Sequence, residues 1–183
     1  GKGIPAALLM TVTRTIMRMA IKQGQDFSPQ TILRRSNKAL YEDLTSLSLI
    51  VTAFVAQYLP ATQDFIFANA GHSPVIYLPA NGTAQLINAN ETALGVFPTT
   101  TFKNQHLRLK PGDIVFIGSD GLWEANNSED VFNGYEYILR TLEKHAHQPA
   151  EIIAGAILDA GKNLSIGPYQ EDDQTLMVVK KVG

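Results

Sequence analysis

The 183-residue sequence predicts a layered α+β fold. Three observations carry that expectation. Apolar residues recur at helical spacing at both ends of the chain, the middle reads as short β-rich runs, and those runs are joined by turns too short for crossover helices, so the sheets should be mainly antiparallel.

Taken in order, Ile4 to about Lys22 is helical. Ala6, Leu9, Thr13, Ile16 and Ala20 form one face, with Leu8, Val12 and Met19 alongside. Pro5 suits the first turn, Arg14, Arg18 and Lys22 make a solvated cationic stripe, and Gly24 stops the helix. Ser28-Pro29 starts a second helix, with Ser28 as N-cap and Pro29 at N1, whose core face is Ile32, Leu33, Ser36, Ala39 and Leu40. The short loop between the two predicts an antiparallel pair. Strands follow over Leu49–Leu59, Phe65–Ala68, Val75–Leu78, Ala84–Ile87, Thr101–Leu107 and Ile114–Ile117, and a last strand runs from Thr175 to Lys180. Pro60–Asp64 and Asn81-Gly82 mark turns. Helices are expected again from Asn133 to about His145 and from Pro149 to about Lys162. In the second, Pro149 takes N1, Ile152, Ile153, Ala156 and Ile157 form the buried stripe, and Gly161 is the C-cap.

Composition removes several classes of function. A net charge of −2 supplies no basic field for nucleic acid. No run of 18 apolar residues suggests a membrane span, no signal peptide is visible, and with no cysteine any metal must be held by oxygen or histidine. A cytoplasmic setting is compatible with this. The opening Gly1-Lys2-Gly3, without an initiator Met, reads as the middle of a turn leading into a helix.

The most informative stretch is LKPGDIVFIGSDGLWEA, from Leu109 to Ala125. Pro111-Gly112-Asp113 is a turn, Ile114–Ile117 is an apolar strand buried on both faces, and Gly118-Ser119-Asp120-Gly121 places a carboxylate at the strand's end between two glycines. Such a carboxylate either caps the turn that begins at Leu122 or meets a hard cation with oxygen ligands. A second acidic site, Glu171-Asp172-Asp173-Gln174, precedes the final strand. By itself it reads as a solvated loop, but if the two strands are neighbours the two loops converge on a candidate oxygen site.

Five segments in order resemble the SpoIIE/RsbU-type branch of the metal-dependent protein phosphatases, the type 2C serine/threonine class. They are GKGIPAALLMT at the start, NAGHSPVIYL at 69–78, ALGV at 93–96, LKPGDIVFIGSDGLWEA at 109–125 and EDDQTLMVVK at 171–180. The resemblance implies an α-β-β-α sandwich of two antiparallel sheets flanked by helix pairs. It implies two Mn²⁺ or Mg²⁺ ions, with Asp120 and Asp172 as ligands and catalytic residues, and Asp173 as a further ligand or outer-sphere partner. Residues 1–183 would form one phosphatase domain that lacks the family's N-terminal strands and its metal-bridging Asp, because Gly1-Lys2-Gly3 matches only the second half of the opening motif. Lys2 would stand either near phosphate or as a solvated terminal residue.

The implied substrate is a protein phosphorylated on Ser or Thr, in this branch a STAS-type anti-sigma-factor antagonist in a partner-switching pathway. An upstream sensor or receiver domain and a homodimer are implied partners, and the N-terminal helix pair is either a regulatory element or simple packing. The alternative is a pseudophosphatase that only binds a partner. His72 is expected to shape its loop, His145 and His147 to be solvated at a helix end, Trp123 to pack beneath the Asp120 loop, and Glu124 to lie at the surface.

Overall fold

A computed structural model of the chain describes residues 3–22, 25–123, 131–164 and 173–183. Two antiparallel sheets and four helices give the expected mixed class, and they divide between two compact units, Gly1–His72 with Ala89–Arg108 and Ser73–Asn88 with Leu109–Gly183.

The first unit holds helices α1 (Gly3–Lys22) and α2 (Pro29–Ser46) and a sheet ordered β1-β2-β5, from β1 (Ala53–Leu59), β2 (Asp64–Ala70) and β5 (Gln105–Arg108). Its core gathers Leu33, Leu40 and Leu44 of α2, Ala68 and Ala70 of β2, Leu94 and Phe102, and Leu9, Ile16 and Met17 of α1 pack against it. Thr13 and Ala20 are buried as expected. Leu8, Val12 and Met19 instead face solvent, because α1 touches its neighbours along one stripe only. By length and a mean hydropathy of 1.3, α1 is apolar enough to cross a membrane. However, Arg14 and Arg18 lie within it, and an arginine at a bilayer centre costs about 2.5–3.5 kcal/mol.

Long-range polar bonds decide where these elements begin and end. Ser28 is the N-cap of α2, with extended φ −63° and ψ 144°, but its hydroxyl makes no cap bond. The Gln30 N–H donates to Asn104 Oδ1 at 2.9 Å, and the Asn104 N–H to Gln30 Oε1 at 3.2 Å. That reciprocal pair holds residue 104 against the helix, and β5 starts at Gln105 rather than at Thr101. Ser48, at φ 53°, turns the chain so that the Leu49 N–H bonds Leu44 O at 2.9 Å, which delays β1 from the expected Leu49 to Ala53. In the turn between α1 and α2, Asp26 accepts from the Thr31 hydroxyl at 2.6 Å and the Ser28 N–H at 2.8 Å; these two bonds, the Thr31 one foremost, hold its carboxyl down at about 2.

Ala39 is exposed, and its expected place in the core is taken by Asn37, 2% exposed. Its Nδ2 donates to Phe97 O at 3.0 Å and its Oδ1 accepts from the Gly95 N–H at 2.9 Å. Gly95 sits at φ +89°, where an added Cβ would come within 2.9 Å of Leu44 Cβ.

The second unit is a sheet ordered β4-β3-β6-β7, from β3 (Val75–Leu78), β4 (Gln85–Ile87), β6 (Ile114–Gly118) and β7 (Leu176–Lys180), with helices α3 (Val131–His145) and α4 (Ala150–Leu164). Ile76, Leu78, Ile114, Phe116, Leu122, Trp123, Ile138, Leu142, Ile153 and Ile157 form its core. Three details correct the sequence reading of α4. Pro149 precedes the helix, its carbonyl accepting from Ile153 N–H at 3.1 Å; the helix continues through Gly161; and Ile152 is half exposed, since of the expected stripe Ile153 and Ile157 alone turn fully inward. Lys180 donates to Ala146 O and Gln148 O, both at 2.7 Å, tying β7 to the chain just beyond α3.

Removing Asn37 takes the side-chain partner from the Gly95 N–H and the Phe97 carbonyl. Asn37→Ala should therefore lower stability by about 2–4 kcal/mol, read as a fall in the urea midpoint at unchanged slope.

Candidate metal-binding strand end

Strand β6 is buried along its whole length, and an aspartate stands just beyond each end of it. The two aspartates have opposite environments. Asp113, 2% exposed, accepts from the Tyr77 hydroxyl at 2.8 Å, the Ala80 N–H at 2.8 Å and the Lys110 N–H at 2.9 Å. Three donors satisfy a buried carboxylate and make it a structural staple of the turn. The Tyr77 hydroxyl is pushed up to about 12, by burial first and then by its bond to Asp113.

Asp120 is exposed and opens a short 3₁₀ turn, Asp120–Leu122. Its Oδ1 accepts from the Gly121 N–H at 3.1 Å, and its carbonyl accepts from the Trp123 N–H at 3.0 Å. The capping position belongs to Ser119, at φ −80° and ψ 160°, so capping does not explain the Asp120 carboxylate. Gly118 is required by space, since a Cβ there would lie 2.5 Å from Leu122 Cδ1. Trp123, 3% exposed, anchors the turn in the core and stacks on Tyr135 with ring centroids 4.6 Å apart. Gly134 permits that approach, because a Cβ on it would meet Trp123 O at 2.5 Å.

The register of β6 with β7 ends at Gly118 opposite Leu176. Beyond that pair the Asp120 turn and the segment entering β7 remain joined. The Ser119 N–H donates to Thr175 O at 2.9 Å, the Thr175 N–H to Ser119 Oγ at 2.9 Å, Ser119 Oγ to Asp173 O at 3.1 Å, and Gln174 Nε2 to Gly121 O at 3.0 Å. The turn that carries Asp120 and the stretch that carries Asp173 therefore leave neighbouring strands at the same sheet end. Asp173 is exposed there. Asp172, Glu124 and Lys2 lie outside the described residues.

Among the described residues, no three His, Cys, Asp or Glu side chains gather at one point. What this strand end does offer is exposed carboxylate oxygen without thiolate, a donor chemistry that suits a hard dication.

The histidines divide. The His72 N–H donates to Asn69 Oδ1 at 2.7 Å beside Gly71 at φ +65°, so the loop is shaped as expected. His147 is exposed, but His145 is half-buried with a buried Nδ1, contrary to the expected solvation. Sequence reasoning missed Ser119 and Gln174 as the residues that join the two acidic segments. Their only signal was a hydroxyl and an amide next to the two acidic motifs. It also missed Glu91, whose carboxyl is raised by burial against the opposing pull of Lys103.

A family model described as Stage II sporulation protein E (SpoIIE) matches residues 1–182. Phosphoserine phosphatase RsbU of Bacillus subtilis is 28% identical over 183 residues, covering 99% of this chain and 53% of RsbU. Phosphoserine phosphatase RsbP of the same organism is 22% identical, covering 98% of this chain and 43% of RsbP. The chain thus spans about half the length of these relatives. Among solved structures, the RsbU and RsbW domains of a Mycobacterium tuberculosis protein superpose with a TM-score of 0.83 at 21% identity, covering 100% of this chain and 49% of that one. The SiaA-PP2C domain of Pseudomonas aeruginosa superposes with a TM-score of 0.83 at 22% identity, covering 99% and 71%. RsbX in complex with magnesium gives a TM-score of 0.64 at 18% identity, covering 97% and 75%.

The raised Tyr77 hydroxyl favours its neutral form in the folded state. Its contribution to stability is complete below about pH 10 and is lost as pH rises through about 12. Tyr77→Phe should abolish that alkaline segment of the stability–pH curve, measured by urea unfolding between those limits.

Proposed function

The chain belongs to the SpoIIE family, and from that premise we propose that it hydrolyses phosphoserine or phosphothreonine on a regulatory protein, with residues 1–183 acting as one phosphatase domain. The family match runs through both compact units, which supports treating them as one functional module. The observation that carries the reading is the shared strand end of β6 and β7, where the Ser119 bonds join the Asp120 turn to the acidic stretch.

Asp120 and Asp172 would hold two Mn²⁺ or Mg²⁺ ions, with Asp173 as a third ligand or as an orienting partner. Held there, such ions would supply Lewis acidity toward an attacking water and positive charge toward the phosphoryl oxygens. The carboxylates' part is to hold charge and position at the sheet end. β6 supplies rigidity, since every residue in it is buried. No nucleophilic side chain is required, in keeping with a chain that has no cysteine. Magnesium is bound by the structural neighbour RsbX, which makes the same ion a sensible first probe here.

The relatives named phosphoserine phosphatases support a place in signalling. On that basis the substrate class we propose is a phosphorylated STAS-type anti-sigma-factor antagonist, met in the cytoplasm, with an upstream sensor or receiver domain governing activity and a homodimer as the assembly.

Asp120→Asn should reduce Mn²⁺-dependent phosphate release from a phosphoserine-bearing STAS protein by more than about 100-fold, beyond the usual cost of losing an outer-sphere partner. Turnover equal to that of the unaltered protein would remove Asp120 from the mechanism. Chelation with EDTA should abolish activity, and readdition of Mn²⁺ should restore it.

A further inference from the structure

Ladder pairing between β6 and β7 stops at Gly118 and Leu176, yet the two segments stay joined for three more residues. The contacts that join them there are in part side-chain contacts. The Ser119 hydroxyl uses both of its capacities, accepting from the Thr175 N–H and donating to Asp173 O. It makes no cap bond to the 3₁₀ turn it precedes. The Gln174 amide donates to the carbonyl of Gly121. Asp120 is thus bracketed: the residue before it and the residue after it are each bonded to the segment entering β7, while its own carboxylate stays at the surface.

This arrangement brings the Asp120 turn and the segment carrying Asp173 to one sheet end. The bonds that join them use the Ser119 hydroxyl, the Gln174 amide and backbone groups, and both Asp120 and Asp173 are exposed beside them. Glu at position 174 could not make the same bond, since an ionised carboxylate has no proton to donate.

We propose that Ser119 and Gln174 are positioning residues that fix the spacing between the Asp120 turn and the segment carrying Asp173, and so set the affinity of this strand end for a divalent cation. The inference rests on the reading that the strand end takes Mn²⁺ or Mg²⁺. Partners that orient metal ligands are each worth 10–100-fold in affinity, which sets the roughly 10–100-fold effect expected here.

The test uses the intact protein and three variants: Gln174→Leu, which keeps bulk and removes the donor, Ser119→Ala, and Ser119→Thr, which restores the hydroxyl. Mn²⁺ affinity is measured by titration calorimetry, and melting temperature is measured in EDTA. Gln174→Leu and Ser119→Ala should each weaken Mn²⁺ binding by about 10–100-fold. Ser119→Thr should bind close to the unaltered protein, and turnover lost at limiting Mn²⁺ should return as Mn²⁺ is raised. Unchanged Mn²⁺ affinity in both loss variants would overturn the positioning role while leaving the phosphatase reading intact. So would a fall in affinity matched by an equal loss of stability in EDTA, the mark of a merely structural role. Absence of Mn²⁺ binding by the unaltered protein would overturn the metal reading and the inference with it.

Discussion

The enclosure of β6 is the constraint on which the second unit depends. All five of its residues are buried, between β3 on one side and β7 on the other. A strand so held cannot slip by one residue, because that would send every core side chain to the wrong face. Whatever stands just beyond its ends inherits that definition. At one end this places Asp113 among three donors; at the other it places Asp120 at the surface, on a turn anchored by Trp123 and Leu122. The same residue type therefore does two kinds of work at the two ends of one strand, Asp113 and Asp120. Burial and donors, not identity, separate them.

The first unit shows the same economy in another form. Its element boundaries are drawn by polar side chains that reach far along the chain. Asn104 caps an amide of α2, Asn37 satisfies Gly95 and Phe97, and Arg35 donates to Ala20 O and Asp26 O across the turn between the helices. Each such bond satisfies a backbone group that regular secondary structure leaves open. The apolar core beneath fixes which faces meet, and these polar bonds fix where each element stops.

The family match and the physical reading address different questions. Membership in the SpoIIE family supplies a chemistry, since Asp120 and Asp173 alone do not define a coordination sphere. The geometry supplies what the match does not, namely how the chain holds those acids. Ser119 and Gln174 are next to the acidic motifs in sequence, yet their roles concern the opposite strand.

From the residues alone, the class, the order of elements and the identity of the acidic segments were legible. Periodicity and turn chemistry are local, and Ile114–Ile117, Val75–Leu78 and the α2 start at Ser28-Pro29 lie within a few residues of where they were expected. The errors share one cause. Ala39 and Ile152 sit on plausible helical faces yet stay exposed, while Asn37 is buried, because which part of an amphipathic stripe meets a neighbour depends on that neighbour. β5 and β1 start late because Asn104 and Leu49 find partners on α2. The sequence by itself determined which residues could carry charge, cap a turn or fill a core. Only the tertiary structure decided that Asp113 is a staple and Asp120 is not, and that Ser119 and Gln174 join two distant segments, because those outcomes depend on partners such as Tyr77, Ala80 and Thr175 that lie tens of residues away.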